Sequence, residues 1–205
     1  MGSGSGELLI KLFNLDFKNL TGIDLFIEND IIYNEHVRIY KKTIFEVEGV
    51  FDVIMMHHVL EHMPNQKKVL DRVLQLLSAT GKVLIRIPII SEPLMNKYGV
   101  NVVSLDPPRH LFIHSVTSIN KLVSDAGFKV TKMIYDALPF DIMGSEQYKR
   151  DISILNDDRS HFVNKQNSIF TKTELKKFKR MTKELNKTSR SSSIALYLEK
   201  EAAVN

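Results

Sequence analysis

The sequence contains no cysteine and no tryptophan among its 205 residues. Without cysteine there can be no disulfide framework, no thiolate-ligated zinc or iron–sulfur centre and no thiol nucleophile. This composition is typical of a reducing compartment, so a cytoplasmic location is expected. No apolar run approaches the roughly 20 residues of a membrane-spanning helix, and the first residues lack a basic segment followed by an apolar one. Neither a membrane span nor a signal peptide is therefore predicted.

The overall composition is that of a globular protein. Hydrophobic residues make up 43% and charged residues 25%, which excludes disordered and collagen-like chains. The net charge is +4, but nine basic residues stand against two acidic ones between Lys165 and Arg190, a local net charge of +7. A solvated helix face explains this run most simply, so no nucleic-acid partner is expected. Contact with an anionic acceptor carrier, a membrane surface or a nucleic acid is the alternative.

Strand-like and helix-like segments alternate along the chain, which predicts an α/β fold with a mostly parallel sheet. The predicted strands cover residues 19–24, 36–40, 51–56, 82–88, 128–135 and 193–198, and the predicted helices cover 7–13, 64–77, 115–126 and 171–185. A long polar segment, 139–190, separates the last two strands and is expected to cap a site or to form a partner surface. One domain over residues 1–205 is predicted around this insertion.

Three glycines at alternate positions, Gly2, Gly4 and Gly6, precede an amphipathic helix and a strand that ends at Asp24. Glycines allow the backbone to approach a ligand closely at the start of a helix. A carboxylate about 20 residues later can accept hydrogen bonds from both hydroxyls of a ribose. The pattern therefore predicts a cofactor that contains a nucleoside. A Gly/Ser linker and a turn-capping aspartate are the simpler alternatives.

The segment after the strand at 51–56 is more specific, because it reads Val59-Leu60-Glu61-His62-Met63-Pro64. Here the chain resembles the class I S-adenosylmethionine-dependent methyltransferases, in a subgroup similar to the ubiquinone-biosynthesis O-methyltransferases. The segments 22–24, 106–112 and 126–128 match the same subgroup, and the resemblance covers nearly the whole chain. It implies a Rossmann-like open sheet ordered 3-2-1-4-5-7-6 with the seventh strand antiparallel, and S-adenosyl-L-methionine as the cofactor.

The resemblance also implies roles for individual residues on the cofactor side of the site. The turn Gly2-Ser3-Gly4-Ser5-Gly6 would flank the methionine part of the cofactor, and Asp24 would bind the ribose. Leu25 and Phe26 would pack near the adenine, and Met56 and His57 would lie against the cofactor.

One part of the family pattern is missing from the sequence. Members have a strand before the glycines that ends in an acidic residue, whereas Met1 stands where that strand would end. The strand would be central, between those that carry Asp24 and Asp52, and its loss would leave two unpaired edges about two 4.8 Å spacings apart. We therefore expect a truncated or misassigned start, or another segment in this position, with cofactor affinity affected.

His58, Glu61 and His62 are the first catalytic candidates. With the two histidines at i and i+4 of one helical turn, all three side chains would face a single point. Three interpretations are open: hydrogen bonds that hold the loop, a histidine that acts as general acid or base, and a divalent-metal site. The quinone-ring O-methyltransferases have an acid–x–x–Glu–His run associated with a metal here, but this chain has histidine in place of the first acid. We assign no metal.

The loop after the strand at 82–88 supplies the remaining candidates. His110 is a fourth catalytic candidate, and with His114 it would reach the same cleft. Arg109 and His114 are predicted to bind the substrate, because a guanidinium can clamp an anionic acceptor. Pairing of the arginine with a surface acid is the alternative.

These features predict methyl transfer from S-adenosylmethionine to a small molecule, with an oxygen acceptor expected and a histidine taking its proton. Sugars, lipid-linked glycans and quinone-like rings are all open as acceptors. The alternative from another class is a catalytically inactive methyltransferase-like domain that serves as a binding or scaffold module. An NAD-dependent oxidoreductase ranks third, because the glycine spacing differs from G-x-G-x-x-G.

Overall fold

A computed structural model of the chain describes residues 1–201. The fold divides into two compact units. The first unit contains Met1–Ile85, Asn120–Lys132 and the residues from Leu196 onward, and the second contains Arg86–Ile119 and Met133–Ala195. One domain over residues 1–205, with a cap formed by residues 139–190, stays a prediction.

The described residues contain six α-helices and seven β-strands interspersed along the chain, in agreement with the predicted α/β class. In chain order they are α1 Glu7–Phe13, β1 Leu20–Ile23, β2 Ile31–Ile32, β3 Val37–Tyr40, β4 Phe51–His57, α2 Gln66–Leu76, β5 Leu77–Pro88, α3 Glu92–Tyr98, α4 Val116–Asp125, β6 Phe128–Tyr135, α5 Pro139–Lys149, α6 Lys172–Lys187 and β7 Ser193–Lys200. Within this described part, no helix has both the length and the apolar character that a bilayer crossing needs.

The strands form two separate sheets. The smaller has the order β1-β3-β2, with β1 parallel and β2 antiparallel to β3. The larger has the order β4-β5-β7-β6. β1 and β4 are therefore edge strands, and no strand of the described residues pairs with both. The continuous sheet that the resemblance implied is thus divided between its second and fourth strands, where the sequence lacks the first.

The last strand runs antiparallel to its neighbour. After the end of β6, the Asp136 N–H donates to the carbonyl of Ser193, where β7 begins, at 3.1 Å. After the end of β7, the Glu201 N–H donates to the carbonyl of Gly127, just before β6, at 2.9 Å. The start of each strand therefore lies beside the end of the other, in agreement with the implied orientation.

Several helix ends follow their predicted capping signals. The Ser115 hydroxyl accepts the Ser118 N–H at 3.1 Å at the start of α4, and Gly127 follows that helix with φ of 79°. At the start of α6, Thr171 and Glu174 form a reciprocal capping box. Local hydrogen bonds thus fix where these helices begin.

The boundary between α2 and β5 differs from the prediction. α2 begins at Gln66 rather than Pro64, and β5 begins at Leu77 rather than Lys82. Leu76 and Leu77 are both buried, so the apolar pattern of the helix continues into the strand without a break. Hydrophobic periodicity therefore does not mark the change from helix to strand at this point.

The 139–190 segment holds two helices rather than the single one predicted. α5 was missed because its buried face includes Gly144, Ser145 and Gln147, which give no apolar stripe. In the second unit α5 and α6 contribute to one apolar cluster, which includes Ile142 and Phe178.

The smaller sheet is held by an apolar cluster of Leu9, Val37 and Ile39. We expect Ile39→Ala to lower the free energy of unfolding by about 2–5 kcal/mol, because this side chain is fully buried and its removal leaves a cavity. Chemical denaturation measures the change. Ile32→Ala is the matched control, since Ile32 lies in β2 of the same sheet and is 58% exposed. Equal losses in the two variants would contradict the packing described.

Candidate functional site

The glycine-rich turn, residues 2–6, begins between the edges of β1 and β4. The N–H groups of Gly2 and Ser3 donate to the carbonyl of Ile23 at 2.8 and 3.2 Å. On the other side, the Met1 amine donates to the carbonyl of Met55 at 2.9 Å. These residues are therefore part of the fold, which contradicts the linker alternative.

Asp24 follows β1 and holds the turn through its carboxylate. One oxygen accepts the Gly4 N–H at 2.8 Å, and the other accepts the Phe26 N–H at 2.8 Å. A carboxylate oxygen has two lone pairs, so each retains capacity for a hydroxyl donor. The predicted pair of glycine turn and acidic residue thus comes together in direct contact.

The end of β4 meets the same turn. A Cβ added to Gly2 would lie only 2.3 Å from Cγ2 of Val59, so backbone and side chain are in close contact there. His57 lines one cavity together with Met1 and Gly2. The turn, Asp24 and the end of β4 therefore converge within the first unit.

The other predicted cofactor residues differ in their surroundings. Met56 is fully buried, whereas Leu25 and Phe26 are 49% and 97% exposed. Leu25 and Phe26 thus lie at the surface beside Asp24, while Met56 packs in the core. Their cofactor roles stay predictions.

Tyr33 is a residue of this region that the sequence reasoning missed. Its hydroxyl donates to the carbonyl of Ser5 at 2.9 Å, and its ring lies 3.8 Å from a Cβ added to Gly6. The contact depends on the turn that follows β2, which carries no signal in the hydrophobic pattern. Tyr33 thus positions the glycine-rich turn from a distant part of the sequence.

His58 and Glu61 form the close pair among the first catalytic candidates. Nδ1 of His58 lies 3.4 Å from Oε1 of Glu61, whose side chain is completely buried, while the imidazole is 48% exposed. His58 has φ of 53° and precedes a short 3-10 helix, Leu60–His62. The helical i, i+4 geometry expected for His58 and His62 is therefore wrong, and a left-handed turn brings His58 to Glu61 instead.

His62 is exposed on that 3-10 helix. The helix itself is anchored by the buried Gln66, whose amide donates to the carbonyl of Leu60 at 2.7 Å. The segment after β4 is therefore a fixed structure rather than an open loop. The loop-holding, acid–base and metal interpretations of its side chains stay open.

The remaining candidates lie in the second unit. Nδ1 of His110 is 2.7 Å from the carbonyl of Ser104, and Arg109 pairs with Asp106 at 2.7 Å. Nδ1 of His114 lies 3.0 Å from the Ser118 hydroxyl, and burial lowers the pKa of this imidazole. Arg109 thus pairs with an acidic side chain, Asp106, as the alternative interpretation expected. Substrate binding by Arg109 or His114 stays a prediction.

Comparison with known proteins adds a decisive observation. A family model described as a methyltransferase domain matches residues 1–133, more than half of the chain. The chain belongs to this methyltransferase family. It is a class I enzyme of the kind that uses S-adenosylmethionine as its cofactor. No curated protein matches the chain.

Solved structures show the same fold as this methyltransferase. The cyclopropane synthase MmaA2 from Mycobacterium tuberculosis is 14% identical with a TM-score of 0.58, covering 98% of this chain and 76% of that one. A Burkholderia thailandensis 1,6-didemethyltoxoflavin-N1-methyltransferase, solved with S-adenosylhomocysteine, is 13% identical with a TM-score of 0.55, covering 98% and 69%. StiE O-MT is 11% identical with a TM-score of 0.56, covering 100% and 67%. At these identities the likeness extends to the fold alone.

The residues at the turn fit such a cofactor. Gly4 is exposed, and no atom lies within 4 Å of a Cβ added to it, so a ligand can approach the backbone there. The Asp24 carboxylate, with its spare lone pairs, accepts the N–H of the same glycine. An open backbone and an acceptor for hydroxyls thus lie side by side.

Gly6 and Gly4 provide a matched test of the turn. Both have positive φ, 89° and 50°, but a Cβ on Gly6 would lie 2.2 Å from Cδ1 of the buried Ile39. We expect Gly4→Ala to cost only the left-handed backbone penalty of about 1–2 kcal/mol, and Gly6→Ala to cost about 1–3 kcal/mol more from overpacking. Urea denaturation measures both. A smaller loss for Gly6→Ala than for Gly4→Ala would contradict this geometry.

The amine of Met1 makes a pH-dependent contribution to stability. Burial lowers its pKa from 8.0 to about 6, and the charge of Asp24 offsets part of this effect. Between these values the unfolded chain binds the proton and the folded chain does not, so stability rises as the pH rises from 6 to 8. We expect a gain of about 2–3 kcal/mol over this range, measured by denaturation at several pH values. An N-acetylated chain is the control, and an equal rise there would contradict the assignment.

Proposed function

We propose that this methyltransferase transfers the methyl group of S-adenosylmethionine to an oxygen of a small molecule, with His58 accepting the acceptor's proton. The observation that carries the proposal is the pairing of a half-exposed imidazole with a completely buried carboxylate, His58 with Glu61. A base oriented by a third group is the arrangement that general base catalysis uses.

Glu61 would fix the orientation of the imidazole. Since Nδ1 of His58 faces Glu61, Nε2 is the nitrogen left to take a proton from an acceptor hydroxyl. Imidazole is the side chain that most often serves as a general base near neutral pH. Sugars, lipid-linked glycans and quinone-like rings all offer such hydroxyls.

The cofactor side of the proposed site is the glycine-rich turn with Asp24. When bound, S-adenosylmethionine supplies a methyl group on a positively charged sulfur. Asp24 would accept hydrogen bonds from the ribose hydroxyls, and the exposed backbone at Gly4 would allow close approach of the methionine part. Holding donor and acceptor in line is the main requirement of the reaction.

The names of the similar structures support a small-molecule acceptor. They differ in the atom that would accept the methyl group. One is named as a 1,6-didemethyltoxoflavin-N1-methyltransferase, one as an O-methyltransferase and one as a cyclopropane synthase. We favour oxygen because His58 can remove the hydroxyl proton. A nitrogen acceptor is the alternative within the same site.

A second candidate function is a binding or scaffold module without methyl transfer. The divided sheet favours it, because within residues 1–201 β1 and β4 each pair with another strand on one side only. Such a module would bind a macromolecular partner and leave S-adenosylhomocysteine unbound in calorimetry.

The cofactor role of Asp24 has a matched test. We expect Asp24→Asn to weaken S-adenosylhomocysteine binding about ten- to a hundredfold in calorimetry, because a charged acceptor for the ribose is lost. Asp30→Asn is the control, since Asp30 also caps a backbone N–H, that of Lys41 at 2.7 Å. Equal affinities of the two variants would contradict the role, and thermal unfolding verifies that both are folded.

The role of His58 is tested by His58→Asn, since asparagine tolerates the left-handed backbone at this position. We expect methyl transfer to a panel of hydroxylated acceptors to fall about 10²- to 10⁴-fold, with affinity for S-adenosylhomocysteine unchanged. His36→Asn is the control, because His36 also lies near a glutamate, Glu35, at 3.6 Å. An undiminished rate in His58→Asn would overturn its role as the base.

A further inference from the structure

One face of α6 carries a continuous row of cations. At about 100° per residue, the members of this row fall within about 80° of one another around the helix axis. They therefore form one line along the helix, about 22 Å long at the α-helical rise per residue. All of them are exposed. This cationic row consists of Lys172, Lys176, Arg180, Lys183 and Lys187.

We propose that the cationic row binds the surface of an anionic lipid bilayer, with α6 lying in the plane of that surface. Such binding holds a protein at a membrane by charge, without a segment that crosses it. The inference is independent of methyl transfer, because it requires neither cofactor nor acceptor.

The opposite face of α6 is packed inside the second unit. Phe178 and Thr182 are buried there. Leu175, Met181 and Leu185 pack against the same apolar cluster as Phe178. This packing fixes the rotation of the helix about its axis, so the cationic row faces solvent along its whole length.

The protein does not compensate the charges of the cationic row. Within residues 1–201, no member of the row makes an ion pair. Two other helices place an acid four residues after an exposed lysine: Lys67 pairs with Asp71 in α2, and Lys121 pairs with Asp125 in α4. In α6 the residue four positions after each of Lys172, Lys176 and Lys183 is another cation. The charges of this face are thus left available to an external anion.

The two acids of α6 do not change this balance. Glu174 accepts a hydrogen bond from Arg150 of α5 at 3.3 Å, so its charge is matched within the second unit. Glu184 is exposed beside the row. It stands against seven exposed cations when Lys177 and Lys179, which flank the row on its two sides, are included.

The residue types on this face indicate a diffuse anionic surface rather than a single anion. Six of the seven cations are lysines, which act as point charges on flexible stems, whereas arginine supplies the planar fork that binds one phosphate or carboxylate. Lysine is depleted in protein–protein interfaces, whose centres are built from aromatic and apolar anchors. The exposed face of α6 has no such anchor.

The aromatic residues of the basic segment favour a bilayer over a nucleic acid. Proteins that bind single-stranded nucleic acid combine cations with aromatic rings on which the bases stack. Phe170 and Phe178 are the aromatic residues between Lys165 and Arg190, and they are only 5% and 3% exposed. Their rings pack against each other, so neither is available to a base.

A straight row of charges suits a flat surface, because all its members approach the surface together. Each lysine or arginine near an anionic leaflet strengthens binding about fivefold. The five members of the cationic row would therefore favour an anionic over a neutral bilayer by about 10³-fold. Since the face has no apolar side chain to insert, binding should depend on charge and be sensitive to salt.

The experiment measures co-sedimentation of the full chain with lipid vesicles in the absence of cofactor. Vesicles of phosphatidylcholine alone are compared with vesicles in which about one third of the lipid is phosphatidylserine. We expect binding to the anionic vesicles only, and its loss when salt is raised from about 0.1 M to about 1 M. Equal binding to the two kinds of vesicle, or binding to neither, would overturn the proposal.

Two triple variants with the same change in net charge locate the binding. The row variant is Lys176→Gln, Arg180→Gln and Lys183→Gln, in which glutamine retains a good helix propensity. The control variant changes three exposed lysines of the first unit that make no ion pair within residues 1–201: Lys11→Gln, Lys68→Gln and Lys129→Gln.

We expect the row variant to bind anionic vesicles about a hundredfold more weakly, and the control variant to lose no more than about threefold. Equal losses in the two variants would contradict binding through the cationic row. Far-UV circular dichroism verifies that both variants are folded.

A fluorescent single-stranded oligonucleotide of mixed sequence is the second probe, at the same salt concentration. Tighter binding to the oligonucleotide than to the anionic vesicles, weakened in the row variant and not in the control, would overturn the bilayer in favour of a nucleic acid. S-adenosylhomocysteine calorimetry is measured separately. A chain that binds anionic vesicles but no cofactor would remove the proposed function and leave this inference standing.

Discussion

The hydrogen bonds of residues 1–3 with Ile23 and Met55 join β1 to β4 within the first unit, and the glycine-rich turn depends on them. They are the backbone contacts that reach from the smaller sheet to the edge of the larger one at the point where both strands end. The glycine-rich turn begins from this position, and its approach to Asp24 and Val59 follows from it. The proposed cofactor site therefore depends on a few main-chain contacts rather than on a continuous sheet.

The features of this arrangement that the sequence predicts are those that depend on local chemistry. Glycines with positive φ, an acidic residue at a strand end and reciprocal capping by Thr171 and Glu174 leave direct signatures in the sequence. The segment Val59–Pro64 and the turn at 2–6 indicated the family, and the family model agrees. The break in the sheet was also expected, because the sequence has no apolar run before the glycines.

The features that the sequence does not predict depend on tertiary contacts or on unusual backbone conformations. The i, i+4 spacing of His58 and His62 predicted a helix, but His58 lies in the left-handed region and only Leu60–His62 is helical. Tyr33 reaches Ser5 across 28 positions, which no local pattern records. At the α2–β5 junction Leu77 is buried like the helix residues before it, so the apolar pattern does not show where the helix ends and the strand begins.

The exposed cations of α6 have a consequence for folding in salt solutions. Lys172, Lys176, Arg180 and Lys183 follow one another at spacings of three or four residues, and no ion pair involves them within the described residues. Like charges at such spacings destabilise a helix by a few tenths of a kcal/mol per pair. The helix therefore relies on its Thr171 cap and on packing around Phe178, and counterions that screen the repulsion strengthen it. Ionic strength thus acts on this one element of the second unit more than on its apolar neighbours.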